Sequence, residues 1–330
     1  MVTITNPFQP IYAICDSGNS GWRRDHLPPF PRYIDVELTN RCNFHCLMCP
    51  TGVGTVKRAS GFMSDGIFRR ILKEIRPHKT PVRFIRWGEP LLHPKVLPYM
   101  RDVKACGSLI HLNTNGSLLT KSLMEEFLEI PLDSIKFSFQ GVDRKSYREM
   151  RNRDFFDELL AKVEQLHAMR GDREKPFIHV STTITYERLD QVRAFRDRVS
   201  AFVDLLTIGR TILEHIDIDA APLGNEEKAT LRFLKGQESV VKKHPECQEV
   251  FDKLSINWDG MVSACCGDYD NLMVVGDLSR QSLQEIWTSD RINRFRDLLV
   301  EMRHDELPLC VSCYDYFGIQ TPGLQKTGLD

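Results

Sequence analysis

The chain has 330 residues, 42% apolar and 27% charged, with 44 Lys and Arg against 45 Asp and Glu. That length points to about two domains, and a mean hydropathy of −0.31 with no apolar run of bilayer length excludes intrinsic disorder and a membrane-spanning chain. Nearly cancelling charge argues against nucleic acid or an anionic membrane as a partner, and the start of the chain lacks a secretory signal pattern, so the cytoplasm is the expected compartment.

Residues 1–33 read as a lead segment. From Ile34 onward short apolar strands alternate with amphipathic helices, the pattern of a parallel sheet wrapped by crossover helices. The strands are expected at Ile34 to Thr39, Val82 to Trp87, Leu109 to Asn113, Ser134 to Phe139, Phe177 to Ile184 and Val203 to Ile208. Ser64 and Thr120 suit helix caps, and Gly171 a helix stop. Six such βα units fit a partial or small barrel over residues 34–222. Ala220 to Asn225, with its Pro and Gly, reads as a linker. Residues 223–330 then form a second domain, with a hairpin from Leu254 to Ala264 turning at Asp259-Gly260 and a helix from Ser282 past Trp287. It holds little apolar material, and a metal cluster would act as its staple.

Ten cysteines fall into two groups, Cys42, Cys46 and Cys49, then Cys247, Cys265, Cys266, Cys310 and Cys313, leaving Cys15 and Cys106 for ordinary burial. In a reducing compartment such groups are metal or redox ligands more often than disulfides. Three thiolates within Cys42-Asn-Phe-His-Cys46-Leu-Met-Cys49 can hold three irons of a cubane and leave the fourth open. Zinc is the alternative, with His45 available as a fourth ligand.

A C-x3-C-x2-C loop after the first strand of a βα barrel resembles the signature of the radical S-adenosylmethionine (radical SAM) superfamily, over roughly Ile34 to Arg210. The resemblance implies that Cys42, Cys46 and Cys49 bind a 4Fe-4S cluster whose open iron chelates S-adenosylmethionine, with Met48 in the place of an aromatic residue near the adenine. Arg86-Trp87-Gly88-Glu89-Pro90 looks like the family's Gly-Gly-Glu-Pro segment with Trp87 for the first glycine, which implies an ammonium site at Gly88 and Glu89. The turns at Asn113-Thr-Asn115-Gly116 and Ser138-Phe-Gln140-Gly141 resemble the family's ribose and carboxylate contacts. Asn115, Ser138 and Arg151 are the residues so implied; their alternative is a turn and a solvated guanidinium.

The tract from Cys247 through Trp258-Asp-Gly, Cys265-Cys266 and Trp287 to Cys310-x-x-Cys313 resembles the SPASM and twitch extensions of these enzymes. It implies one auxiliary 4Fe-4S cluster on Cys247, Cys265, Cys310 and Cys313, with zinc again the alternative. Cys265 and Cys266 compete for one corner; the spare thiol at Cys266 either packs or donates a hydrogen atom. The expected fold is therefore α/β, a partial (β/α)6 TIM-like barrel with a small C-terminal SPASM/twitch iron-sulfur domain.

What the resemblance implies chemically is reductive cleavage of S-adenosylmethionine to a 5′-deoxyadenosyl radical that takes a substrate hydrogen atom. A flavodoxin- or ferredoxin-type reductant would supply the electron. A single auxiliary cluster is similar to that of an aminocyclitol dehydrogenase, which favours oxidation or epimerisation of a sugar or aminocyclitol. The rival is maturation of a ribosomal peptide or protein; the short lead segment is less than the peptide-binding domain such enzymes often carry. Strand ends suggest Trp87, His111, Gln140, Thr183 and Arg210 as substrate residues. Glu214, His215, Asp217 and Asp219 follow the sixth strand, and Tyr314 and Asp315 lie beside the last cysteine pair. Cys266, Arg210 and Glu214 are the candidate catalytic groups.

Overall fold

The computed structural model describes residues 4–16, 18–213, 216–240, 247, 249–313 and 319–320. All six expected strands form, at Tyr33–Val36 (β1), Val82–Phe84 (β2), Ile110–Thr114 (β3), Ser134–Ser138 (β4), Phe177–Ile184 (β5) and Leu205–Arg210 (β6), each parallel to its neighbour. Helices Asp65–Ile75, Val96–Ala105, Lys121–Glu129, Phe156–Arg170 and Leu189–Val199 cover the outside. Ser64 and Thr120 accept from the amides of Ile67 and Leu123, which satisfies donors that a helix start leaves open. The first two strands end three residues earlier than expected, where the chain turns into the loops carrying Cys42 and Gly88.

After the two-residue strand Ser239–Val240 (β7) come Lys253–Ile256 (β8), Met261–Ser263 (β9) and Val274–Asp277 (β10); Ile319–Gln320 (β11) pairs with β7. Gly260 turns the β8–β9 hairpin at φ +89°, a conformation that favours glycine. The unexpected feature is where that hairpin goes. β8 lies parallel to β1, Tyr33 opposite Lys253 and Asp35 opposite Ser255, so one sheet runs β10-β9-β8-β1-β2-β3-β4-β5-β6. The expected division near residue 222 does not interrupt it: one apolar cluster includes Ile34, Leu112 and Phe137 of the barrel and Leu254, Ile256 and Trp287 of the C-terminal part. A domain split at residues 33 and 222 is therefore a proposal about sequence modules, not about separate cores.

The lead segment closes the strand-start end of the barrel. Phe8 meets the His111 ring edge-on at 5.9 Å, and Tyr12 meets Tyr33 at 6.1 Å. It also ties down the C-terminal part, Arg23 and Arg32 pairing with Asp252 at 2.9 and 2.8 Å. Among the described residues no helix is long and apolar enough to cross a membrane.

Side-chain alternation puts Ile34, Phe84, Ile135 and Val180 against the helices and their neighbours Asp35, Arg83, Lys136 and His179 on the lumen face. Asp35 is fully buried and accepts from Arg83 at 2.6 and 2.9 Å; its carboxylate also lies 3.2 Å from Lys253 Nζ, which pairs with Glu249 at 2.8 Å. Burial alone would raise the Asp35 pKa, but Arg83 and Lys253 hold it well below its ordinary 3.8. A depressed carboxylate stabilises the fold fully above its unfolded pKa and loses that contribution as pH falls through the folded value. Asp35→Asn should cost about 3–5 kcal/mol in urea unfolding at pH 7 by stranding Arg83 and leaving Lys253 to Glu249 alone. The difference between variant and wild type should shrink on going from pH 5 toward pH 2; a difference constant over that range would refute the ion-pair account.

Candidate active site

The loop after β1 folds tightly around its thiols: the Cys49 amide donates to the Cys46 carbonyl at 3.2 Å and the Val53 amide to that of Cys49 at 2.9 Å. Burial pushes the Cys42 thiol up to about 12 and raises that of Cys49, with the neighbouring thiolates adding to both. Donors aim at these sulfurs. Arg151 Nη1 lies 3.4 Å from Cys46 Sγ, and Asn115 Nδ2 lies 3.9 Å from Cys42 Sγ. The buried Nε of Arg151 has no hydrogen-bond partner among the described residues. No three described His, Cys, Asp or Glu side chains close on a point as ligands of a single ion would. The fit to iron rests instead on donor chemistry, and three soft thiols faced by a buried guanidinium and an amide suit an anionic iron-sulfur cluster.

The segment after β2 packs directly on this loop. A Cβ on Gly88 would lie 2.0 Å from the Thr39 carbonyl oxygen, so only glycine fits. Glu89 is buried and accepts from Thr114 Oγ1 and the Asn115 amide, both at 2.8 Å, and from the Leu91 amide at 3.1 Å. Desolvation outweighs these donors and raises its pKa. The Glu89 carboxylate, expected at an ammonium, thus fixes the turn after β3. Ser138 donates to Asn113 Oδ1 at 3.3 Å, and Arg151 donates to the carbonyls of Ser138 and Phe139. Arg151 therefore braces the end of β4 against the cysteine loop.

The C-terminal thiols Cys247, Cys265, Cys266, Cys310 and Cys313 line one cavity of about 670 Å³, into which Met48 and Trp87 also face. Burial lifts the Cys247 thiol, with Glu249, Cys310 and Cys313 adding to the shift. A hydrogen bond between Cys265 and Cys266 raises the first and lowers the second. Cys265 Sγ accepts from the Gly267 amide at 3.3 Å, while Cys266 is exposed and its amide donates to Glu249 Oε2 at 2.9 Å.

Arg86 joins the two halves. Its guanidinium donates to the carbonyls of Cys265 and Asp268 at 3.0 and 2.8 Å and to Asn257 Oδ1 at 2.7 Å. Its φ of +126° is strained for a residue with a side chain.

The other expected positions divide. Gln140 and Thr183 bond to one another, and Gln140 donates to Thr211 at 2.6 Å in a buried polar knot. His111 sits near the closed end of the lumen, bonded to Ser134 Oγ at 3.0 Å. Arg210 stands opposite buried Ile184 on the face turned to the helices, so its register takes it away from the lumen where it was expected. Asp217 is exposed and caps the Ala220 amide, and Asp219 is exposed and paired with Arg232 at 2.5 Å. Glu214, His215, Tyr314 and Asp315 lie outside the described residues. Sequence reading missed Asp35, Arg83, Lys136, His179, Glu249 and Lys253. For all but Glu249, which lies on a short helix, polar residues within a parallel strand were the available signal, because strands covered on both faces are ordinarily apolar throughout.

The radical SAM superfamily profile matches residues 36–197, and SPASM, an iron-sulfur cluster-binding domain, matches residues 247–314. This chain carries a radical SAM domain and a SPASM domain. The first domain implies S-adenosylmethionine and a 4Fe-4S cluster, and the second auxiliary iron-sulfur binding. The chain is 26% identical, over 86% of its length and 87% of the relative's, to the tungsten-containing aldehyde ferredoxin oxidoreductase cofactor-modifying protein of Pyrococcus furiosus. It is 20% identical, over 85% of its length and 91% of the relative's, to the S-adenosyl-L-methionine-dependent 2-deoxy-scyllo-inosamine dehydrogenase of Niallia circulans. The structure of BtrN in complex with AdoMet and 2-DOIA shares its fold at a TM-score of 0.56 and 17% identity, covering 90% of this chain and 95% of that one. Streptococcus suis SuiB bound to precursor peptide SuiA does so at 0.62 and 14%, covering 84% and 69%. The radical SAM enzyme assignment, the α/β barrel and the SPASM domain thus agree with the expectation from sequence.

Gly88→Ala should destabilise the protein by about 1–3 kcal/mol through overpacking against Thr39, and S-adenosylmethionine binding measured by equilibrium dialysis should fall with it. Unchanged melting and binding would show that the contact relaxes freely.

Proposed function

We propose that this radical SAM enzyme oxidises, or epimerises, a small polar metabolite such as a sugar or aminocyclitol, with an auxiliary 4Fe-4S cluster as electron acceptor. The observation that supports it is the shared cavity: Met48 and Trp87, flanking the first cysteine loop and the Gly88 segment, face the same 670 Å³ space as the five C-terminal thiols. That volume suits a metabolite-sized ligand, and an acceptor beside the substrate can take an electron from it directly.

In this reading Cys42, Cys46 and Cys49 hold the cluster that binds S-adenosylmethionine. Cys247, Cys265, Cys310 and Cys313 hold the auxiliary one. When bound, cluster and S-adenosylmethionine supply a 5′-deoxyadenosyl radical that abstracts a hydrogen atom. The chain's own residues do the positioning. Met48, Gly88, Asn115 and Ser138 shape the cofactor pocket, and Glu89 and Arg151 fix the loops that form it. Cys265, whose sulfur accepts an amide, is the ligand in this reading, and exposed Cys266, bonded to it, is the hydrogen donor of an epimerisation. The enzyme works in the cytoplasm with a flavodoxin- or ferredoxin-type reductant.

A second reading is modification of a peptide, protein or larger cofactor. The open edge of the sheet favours it, since Leu205, Thr207 and Gly209 of β6 are exposed and leave a lateral way into the lumen. The first relative is named for cofactor modification.

Cell extract split by an ultrafilter separates these readings. Formation of 5′-deoxyadenosine by the anaerobically reconstituted enzyme should rise with the filtrate; a rise only with the retained fraction sinks the small-metabolite reading. Replacing Cys42, Cys46 and Cys49 by Ala should abolish cleavage and lower bound iron by about half, two equal clusters being present in this reading. Cys265→Ala should lower bound iron more than Cys266→Ala; the reverse order would exchange their roles.

A further inference from the structure

The lumen charges on β1, β2 and β8 and on the helical turn before β8 neutralise one another, the cations Arg83 and Lys253 being matched by Asp35 and Glu249. Lys136 stands outside this balance. It lies on the lumen face of β4, two residues before Ser138, which places it about 7 Å deeper along the strand than the end where the cofactor pocket forms. The side chain is only partly exposed, and among the described residues it has no hydrogen bond or ion pair. Lys136 does not itself line the cavity but adjoins it: of its electrostatic neighbours Arg83, Asp35, Cys266 and Lys253, all but Lys253 do. Two histidines stand near it, each already bonded to a hydroxyl, His111 to Ser134 and His179 to Thr207 at 2.9 Å. Burial and the Arg83 cation bring the Lys136 amine down to about 8.

A closed barrel of this class fills its interior with packed apolar side chains. This lumen is polar, and at Lys136 it carries a positive charge with no carboxylate in contact. Burying an unmatched ammonium is costly, so such a group is stabilised by whatever anion arrives. We propose that Lys136 receives an acidic group of the substrate, a carboxylate or a phosphate, so that the substrate is a polyhydroxylated acid rather than a basic aminocyclitol. The inference rests on the small-metabolite reading and narrows it. An ammonium at the same depth would meet Lys136 and Arg83 as like charges, whereas an acid would pair with the first and leave its hydroxylated end toward the cofactor. The partly buried amine makes the contact a charge-assisted one, stronger than a surface ion pair.

The test uses reconstituted holoenzyme with S-adenosylmethionine present, titrated calorimetrically with gluconate and glucose 6-phosphate, and with myo-inositol and glucosamine as neutral and cationic controls. At least one of the two acids should bind about tenfold more tightly than myo-inositol, and which one does so separates carboxylate from phosphate. Lys136→Met should erase that preference and Lys136→Arg should keep most of it, each variant first shown to match wild type in iron content and melting temperature. Lys136→Arg also covers the case in which the Met variant does not fold. Acids binding no better than myo-inositol, tighter binding of glucosamine, or a preference that survives in Lys136→Met overturns the proposal. Cleavage of S-adenosylmethionine by wild type in parallel anaerobic samples reduced with dithionite reports separately on the radical chemistry: cleavage without acid preference rejects only the Lys136 site, whereas absent cleavage rejects the underlying reading.

Discussion

A carboxylate buried without solvent needs cations, and Asp35 takes two, one from each direction along the sheet. Arg83 comes from the next barrel strand, β2, and Lys253 from β8, which follows it by some 170 residues. Parallel pairing of β1 with β8 is what brings Lys253 there, and the pairing in turn sets the position of everything that follows β8. The hairpin and the Cys265-Cys266 turn inherit their places from that register, and Glu249, just ahead of β8, is placed with them. A single buried charge thus links the barrel to the segment that carries the C-terminal thiols, and the lumen it creates is polar where a closed barrel would be packed.

The same constraint explains how much could be read from sequence. Local apolar periodicity reports the strands and helices well, since each unit buries one face against its neighbours. Ser64, Thr120 and Asp259-Gly260 are chemical signals that act within a few residues, and each appears where expected. The β1–β8 pairing has no local signal. Two short strands so far apart meet because of side chains on other elements, Arg58 with the Tyr269 carbonyl, Arg86 with the Cys265 and Asp268 carbonyls, and Arg23 with Asp252. Composition suggested a second domain, whereas the apolar material of residues 250–309 is sufficient only because it joins the barrel's core.

For the site, motif spacing carried the cysteines and the Gly88 segment, but position at a strand end was a poor guide to the lumen. Parity decides which face a strand residue occupies, and a shift of one exchanges core for lumen. Arg210 stands with Ile184 on the helix side, while Lys136 and His179, inside strands that otherwise read as apolar, turn inward. His111 has the right parity but the wrong depth, beneath Phe8 at the closed end. Charged residues at alternate positions of covered strands would have been the better search, because burying them needs a reason.

The segment Arg86-Trp87-Gly88-Glu89 shows how the departures from the family pattern cohere. Where a glycine is usual, this chain has an indole facing the cavity, within edge contact of Tyr269 at 5.9 Å. The residue before it holds a positive φ, which a side chain resists, and the guanidinium of that residue is fixed by three acceptors in the Cys265 to Asp268 turn and at Asn257. Two residues on, Gly88 is pressed against Thr39 and Glu89 grips the turn of Asn115. Strain at Arg86 is therefore sustained by contacts on both sides of the cavity. A displacement of the C-terminal thiol turn must pull on the same four residues that border the cofactor pocket. In the proposed reading the auxiliary site and the S-adenosylmethionine site are accordingly not independent modules that share a chain; one short connection joins them, with the cavity between them.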